Sequence, residues 1–179
     1  MVLAEAISVI VRVKRITNKL AGGWDGFLRL VPNQTLCSDD ELARVGFMTP
    51  QDIRTFIDAL EARGLRFVEN GRAVDLCVVD QRQGPTCECD WLEFRYLTVF
   101  EGNYTIAVCR LASSHQSRVA IPAGWQYEGS LSQRAGFVPN EEVASRLHFL
   151  RHEKEMDVYL DHATGKEMFV GRTSPHKDG

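Results

Sequence analysis

Apolar and polar residues alternate near the start of the chain, where residues 4–13 read AEAISVIVRV and every second residue from Ile7 to Val13 is apolar. A period of two residues predicts a β-strand with one strongly apolar face. Residues 14–31 show helical spacing instead, interrupted by a Gly-Gly pair, and predict a broken helix.

The clearest helical pattern follows Thr49, a residue suited to cap the N-terminus of a helix. Pro50 fits the first helical turn, and Asp52 complements the positive end of the helix dipole. Apolar residues at i, i+3, i+4 and i+7 then predict a helix over 50–63. The residues expected to be buried are Ile53, Phe56, Ile57 and Leu60.

A second main helix is predicted over residues 140–154, with Val143, Leu147 and Leu150 on its buried face. Both predicted helices follow an Arg-x-Gly-Phe sequence, at residues 44–47 and 134–137, and both precede a predicted hairpin. This shared order suggests an internal duplication of helix-plus-hairpin units. The alternative is that any capped helix followed by a hairpin shows the same order.

Strands are predicted where β-forming residues flank turn residues. The turn Asn70-Gly71 separates predicted strands at 65–68 and 73–79. Other strands are predicted at 91–100, 104–111, 118–121, 156–160 and 166–170, the last two as a hairpin. These elements predict an α+β fold, a mostly antiparallel mixed sheet with two main helices.

The length of 179 residues suits one globular domain, predicted over residues 1–171 with possible halves at 1–90 and 91–171. Residues 172–179 are polar and are predicted to be a disordered tail. Hydrophobic residues make up 44% of the chain and charged residues 25%, which is typical of a globular protein.

Charge and hydropathy narrow the range of partners. The chain has 21 Lys and Arg against 24 Asp and Glu, and its basic residues are not clustered, so nucleic-acid binding is not expected. No segment approaches the ~20 apolar residues that a membrane-spanning helix requires, and no signal peptide is recognised. A cytoplasmic protein is therefore expected, with its oligomeric state left open.

The five cysteines are odd in number, and reduced thiols are the expectation. Cys87-Glu88-Cys89 could bind a soft metal or act in redox chemistry, but no second ligand pair with zinc-site spacing is visible. His148 and His152 share a face of the predicted helix and are expected to be solvated. No metal and no cofactor are predicted.

The loop at 80–90 is the first candidate recognition surface, because polar residues around Gly84-Pro85 stand between two apolar strands. Its candidate binding residues are Asp80, Arg82, Gln83, Asp90 and Trp91. A second aromatic cluster contains Trp125 and Tyr127, of which Trp125 is expected to pack in the core. The alternative for the loop is a connector whose aspartates accept backbone hydrogen bonds.

Residues 78–94 (VVDQRQGPTCECDWLEF) and 124–137 (GWQYEGSLSQRAGF) resemble a family of bacterial proteins for which no activity is established. The similarity extends over most of the chain. The resemblance implies a bacterial, cytosolic, stand-alone domain and identifies no catalytic residues.

Two functions from different classes are compatible with these observations. The first hypothesis is a non-enzymatic protein-interaction or regulatory domain, such as an immunity-type protein, since no catalytic motif was found. The alternative is a small enzyme or ligand-binding domain with a groove between the two halves, lined by carboxylates. Candidates for those carboxylates are Asp80, Asp90, Glu93 and Glu128. A deep pocket would favour the alternative, and a flat apolar patch would favour the first hypothesis.

Overall fold

The structure, a computed structural model, describes residues 1–99, 104–135, 147–153, 156–161 and 166–171. The chain divides into two compact units, Met1–Ser132 and Gln133–Gly179. Residues on both sides of position 90 belong to the first unit. The predicted tail at 172–179 lies outside the described residues.

The first unit contains ten strands and three complete helices among its described residues. The strands are β1 (Val2–Leu3), β2 (Ile7–Arg12), β3 (Cys37–Ser38), β4 (Leu42–Phe47), β5 (Val68–Glu69), β6 (Arg72–Ala73), β7 (Leu76–Asp80), β8 (Gly84–Pro85), β9 (Leu92–Val99) and β10 (Tyr104–Leu111). The helices are α1 (Val13–Lys19), α2 (Gly23–Leu28) and α3 (Pro50–Glu61). A short helix α4 (Leu131–Ala135) begins at the end of this unit.

The main sheet has five antiparallel strands in the order β3-β4-β2-β7-β8. Its central strand β2 places Val9 opposite Val45 of β4 and Val78 of β7. Val9 and Val11 on the predicted apolar face of β2 are fully buried, Ile7 is half-buried, and Val13 begins α1. Ser8 and Ile10 on the opposite face are fully buried as well. The strand is therefore covered on both faces, which its polar Ser8 did not indicate.

The hydrophobic core of this unit lies between the main sheet and helices α1–α3. Helix α3 begins as predicted, because the Thr49 side chain accepts a hydrogen bond from the Asp52 backbone N–H and Pro50 occupies the first turn. Its four predicted core residues, Ile53, Phe56, Ile57 and Leu60, are all buried. The ring of Phe56 packs against Phe27, with centroids 6.2 Å apart, and against Phe47 at 5.3 Å.

The remaining strands of the first unit form a three-stranded sheet, β1-β10-β9, and a ribbon of β5 and β6. The predicted turn at Asn70-Gly71 is confirmed, with φ values of 52° and 79°. The predicted pairing of 91–100 with 104–111 is confirmed for β9 and β10, and residues 100–103 are outside the described ranges. The strand predicted at 118–121 is wrong, since only Ala120 pairs, in an isolated bridge to Val2.

The described part of the second unit is an antiparallel sheet, β11 (Leu147–Glu153), β12 (Met156–Asp161) and β13 (Lys166–Gly171), in that order. The predicted hairpin at 156–170 is confirmed. The helix predicted over 140–154 is wrong for residues 147–153, which form β11, and residues 140–146 are outside the described ranges. Residues 147–153 pair with β12, and this pairing satisfies their backbone hydrogen bonds. The helix was predicted from the spacing of only three apolar residues, which is weaker than the tertiary pairing.

This correction also affects the two proposals that depended on the helix. The residues equivalent to α3 in the suggested duplication include a strand, so the duplication is not confirmed. His148 and His152 do not share a helix face; both lie on β11, whose register shifts between Phe149 and Arg151. Among the described residues no helix is long and apolar enough to cross a membrane.

Candidate functional site

A pocket of about 730 Å³ opens within the first unit. It is bounded by the end of β4, one face of α3, residues 30–35, residues 122–125 and the first residue of α4. Its volume lies in the range of typical small-molecule sites, roughly 300–1,000 Å³. Most of its lining is apolar, and the large side chains of that lining are Leu30, Phe47, Met48, Phe56, Trp125 and Leu131.

The polar end of the pocket is built around Arg44, whose side chain is almost fully buried. Its Nε donates a hydrogen bond to the Ser8 Oγ at 2.8 Å, and its Nη1 donates to the Thr35 carbonyl oxygen at 3.1 Å. Its Nη2 donates to the Glu5 carbonyl oxygen at 2.5 Å. Burial lowers the pKa of Arg44, while nearby Cys37 and Glu5 oppose that shift. Because an arginine guanidinium is not deprotonated in proteins, Arg44 remains a cation.

The path of the Arg44 side chain depends on Gly46, which lies two residues further along β4, on the same face of the strand. The carbonyl oxygen of Gly46 accepts hydrogen bonds from Asn33 Nδ2 at 2.9 Å and from Thr35 Oγ1 at 3.1 Å. The Gly46 N–H donates to the same Thr35 oxygen at 2.7 Å. These contacts attach the 33–35 segment to β4 and hold one wall of the pocket in place.

A second buried charge, the Glu5 carboxylate, lines the pocket and is only 8% exposed. Its Oε1 accepts the backbone N–H of Ser132 at 2.7 Å, and its Oε2 accepts the indole N–H of Trp125 at 3.1 Å. Glu5 thus fixes the position of the Trp125 ring, which forms part of the pocket wall. The expectation that Trp125 packs in the core is therefore wrong in part: the ring is half-buried, with one side facing the pocket.

The backbone next to Glu5 is strained, because Ala6 has a φ of 54°, which residues with a Cβ rarely adopt. Gln81 holds this conformation from both directions. Its Oε1 accepts the Ala6 N–H at 2.9 Å, and its own N–H donates to the Ala6 carbonyl oxygen at 2.9 Å. Strained backbone supported in this way is common beside binding sites.

Chemically, the pocket offers hydrogen-bond donors at one end of an apolar cavity. Arg44 carries five N–H donors, and three of them have partners among the described residues. The remaining donors belong to a residue that lines the pocket. The lining thus combines the buried guanidinium of Arg44 with the apolar side chains of Phe47, Phe56 and Trp125.

No residue of the predicted recognition loop at 80–90 lines the pocket, and the loop is shaped by backbone contacts. The Asp80 Oδ1 accepts the N–H groups of Arg82 and Gln83 at 2.8 and 2.9 Å, and the Tyr96 hydroxyl donates to the Arg82 carbonyl oxygen at 2.7 Å. Arg82 and Gln83 are exposed, whereas Gln81 and Gly84 are buried. Asp80 therefore organises a turn.

The remaining predicted site residues also lie outside the pocket lining. Asp90 pairs with Arg72 at 3.0 Å, and Trp91 donates its indole N–H to the Ala73 carbonyl oxygen at 3.0 Å. Tyr127 stacks on Tyr104 with ring centroids 4.1 Å apart. Among the seven predicted binding residues, Trp125 alone lines the pocket.

The carboxylates proposed for a groove do not converge. Asp80 and Asp90 have the separate roles described above, Glu93 pairs with Arg110 at 2.7 Å, and Glu128 accepts the Tyr104 hydroxyl at 3.1 Å. The pocket carboxylates are Glu5 and Asp52 instead. A weak signal for the site was present in LARVGF of β4, where a charged residue and a glycine interrupt an otherwise apolar strand.

Within the described residues, no group of three or more His, Cys, Asp or Glu side chains is placed to hold a metal ion. Comparison with known protein families, curated proteins and solved structures finds no match for this chain. Its function is therefore argued from the geometry of the pocket.

Proposed function

We propose that the first unit is a small-molecule-binding domain, the ligand-binding alternative raised by the sequence. The observation that carries this proposal is the combination of an apolar pocket of about 730 Å³ with the buried guanidinium of Arg44 in its lining. Pockets of this size and character, with a few fixed polar groups, are typical of sites for small ligands.

The chemistry of the lining defines the class of ligand. The Glu5 carboxylate is occupied by Trp125 and Ser132, so it offers little to a ligand donor. The Arg44 donors favour an acceptor oxygen, as in a carbonyl or carboxylate group. The proposed ligand is a compact apolar or aromatic molecule that carries such a group, with its apolar part against Trp125 and Phe47.

Binding of 1-naphthoate tests this proposal, because its ring system and carboxylate match the two ends of the pocket. We expect the compound to quench or shift tryptophan fluorescence, since Trp125 lines the pocket. The same ring carrying a cation, 1-naphthylmethylammonium, should bind more weakly because it would face Arg44. Equal binding of the two compounds would contradict the assigned role of Arg44.

A variant that fills the pocket tests whether 1-naphthoate binds there. Ala59 of α3 lines the pocket, and Ala59→Trp should fill part of it and lower the affinity for 1-naphthoate by roughly tenfold or more. Ala62→Trp is the matched control, because Ala62 is exposed at the end of the same helix and does not line the pocket. If both variants bind as the wild type does, the pocket is not the site.

A second candidate function is protein recognition through the turn at 80–83. The observation that favours it is the fixed backbone of this turn, held by Asp80 and Tyr96, which presents two exposed side chains. Arg82→Ala combined with Gln83→Ala should weaken binding to a protein partner by about 1–2 kcal/mol. Unchanged affinity for a partner found by pull-down would leave the turn as a connector.

A further inference from the structure

One wall of the pocket is a stretch of irregular chain, residues 121–126, which we call the gate segment. Four of its residues, Pro122, Ala123, Gly124 and Trp125, line the pocket. Ala123 and Gly124 are exposed, and Trp125 is half-buried. The gate segment therefore stands between the pocket and solvent, which is the position of a structure that controls entry.

The gate segment is attached to the first unit on both sides. Before it, the Ala120 N–H donates to the Met1 carbonyl oxygen at 2.8 Å, and the Ala120 carbonyl oxygen accepts the Leu3 N–H at 3.0 Å. After it, the Tyr127 ring stacks on Tyr104 of β10, with centroids 4.1 Å apart. A movement confined to residues 121–126 would leave both attachments in place.

The gate segment itself is held to the pocket by the Glu5 carboxylate. Glu5 Oε2 accepts the indole N–H of Trp125 at 3.1 Å, and Oε1 accepts the Ser132 N–H at 2.7 Å. The two contacts differ in exposure, since Ser132 is fully buried and Trp125 is half-buried. When Trp125 moves away, water can replace its N–H as the donor to Glu5, because water-mediated hydrogen bonds are nearly as favourable as direct ones. The contact with Trp125 is thus the releasable one.

Gly124 supplies a pivot next to Trp125. Its φ is 73°, and a Cβ at this position would meet no described atom within 4 Å. Glycine adopts positive and negative φ about equally readily, so it can absorb a change in the direction of the backbone. The space around Gly124 leaves room for that change.

We propose that the gate segment opens and closes the pocket, and that Glu5 is the latch that holds it closed through the Trp125 indole. This inference rests on the proposed function, because it describes how a ligand reaches the same pocket. In the open form the hydrogen bond to Glu5 is broken, the backbone has turned at Gly124, and the Trp125 ring has left the pocket wall. A ligand enters through the open form, so the rate of opening limits its association.

Exchange of the Trp125 indole N–H with solvent measures opening without any ligand. The chain has three tryptophans, and Trp125→Phe identifies the NMR signal that belongs to residue 125. In Glu5→Gln one acceptor oxygen is lost, and the buried Ser132 N–H retains the other. The exchange of Trp125 should then become about tenfold faster, as expected for the loss of a hydrogen bond to a charged group. The Trp91 indole, which donates to the Ala73 carbonyl oxygen, is the internal reference.

Glu128→Gln is the matched control for the latch variant. It makes the same change at an exposed residue just after the gate segment and keeps an acceptor for the Tyr104 hydroxyl. Exchange of the Trp125 indole should stay within about twofold of the wild type in this variant. Equal exchange in the wild type and in Glu5→Gln would overturn the assignment of Glu5 as the latch.

Stopped-flow binding of 1-naphthoate, followed by the fluorescence of the compound, tests the gate. The observed rate should level off as the concentration rises, and Glu5→Gln should raise that limit by about tenfold. Trp125→Phe, which keeps an aromatic ring but lacks the N–H, should raise it by a similar factor. A rate that stays proportional to concentration and is the same in all three proteins would overturn the gate.

The two measurements separate this inference from the function on which it rests. If 1-naphthoate does not bind the wild type, the proposed function fails for this ligand, and the indole exchange still decides whether Glu5 holds the gate segment closed. If Glu5→Gln does not fold, the limiting association rate of Trp125→Phe decides it instead: a rate equal to that of the wild type would refute the latch.

Discussion

The guanidinium of Arg44 lies across Gly46 so closely that a Cβ at Gly46 would come within 2.4 Å of the Arg44 Nη2 atom. Glycine at this position is thus a requirement of side-chain packing, since the backbone there does not adopt a positive φ. The three hydrogen bonds that hold Arg44 at the pocket depend on the space that this glycine leaves.

Gly46→Ala should destabilise the protein by about 1–3 kcal/mol, because the new methyl group must displace a buried, hydrogen-bonded guanidinium. Urea unfolding measures the change. In an Arg44→Val background the same methyl group meets no guanidinium, so the cost of Gly46→Ala should fall by about 1 kcal/mol or more. Equal costs in the two backgrounds would show that Arg44 does not occupy this space.

Gln81→Leu should destabilise the protein by about 1–3 kcal/mol, because it removes the acceptor of the Ala6 N–H and leaves that group unsatisfied. The change should also weaken binding of 1-naphthoate, since Ala6 and Glu5 both line the pocket. Gln83→Leu is the control, as Gln83 is exposed in the same turn. Chemical denaturation and fluorescence titration of both variants provide the comparison.

Phe56→Ala should cost about 3–5 kcal/mol in the free energy of unfolding, through lost burial and the cavity it leaves. Phe56 is only 3% exposed and contacts two other aromatic rings. Arg54→Ala on the exposed side of α3 removes a surface ion pair with Asp58 and should cost less than ~1 kcal/mol. A loss below ~1 kcal/mol for Phe56→Ala would contradict its place in the core.

The alkylation rate of Cys89 by iodoacetamide should depend on pH with a midpoint below that of an ordinary cysteine, because the pKa of Cys89 is lowered. A lowered pKa keeps the reactive thiolate present at lower pH, and the rate should fall only when the pH drops through that lowered value. Cys87, whose pKa is raised by burial, should show a higher midpoint. Peptide mass spectrometry over a pH series resolves the two cysteines, and a higher midpoint for Cys89 than for Cys87 would contradict this order.

Local signals explain which parts of the fold could be predicted from the sequence. Thr49 caps α3 through a contact three residues away, and Asn70-Gly71 forms its turn within the hairpin itself. Such features can be predicted from a few neighbouring residues, without the rest of the chain. Residues 147–153 lack a local signal of this kind, and their conformation is decided by pairing with β12.

The candidate site could not be predicted because its contacts join distant parts of the sequence. Arg44 reaches Ser8 and Glu5, and Glu5 accepts the indole N–H of Trp125 far along the chain. The contact between Arg44 and Ser8 exists only when β2 and β4 pair in the observed register. Neither the strand that carries Arg44, nor the burial of that side chain, nor the pocket beside it was predicted from the sequence.

The short strand β1 also bears on the order in which the protein is made and folded. Val2 and Leu3 pair with Cys109 and Val108, so a ribosome must add about a hundred residues after β1 before its partner strand exists. Closing so long a loop carries a higher entropic cost than forming the nearby β5–β6 ribbon. Until β10 has been synthesised, the backbone of β1 lacks the strand with which it pairs, so this sheet can form only late in synthesis.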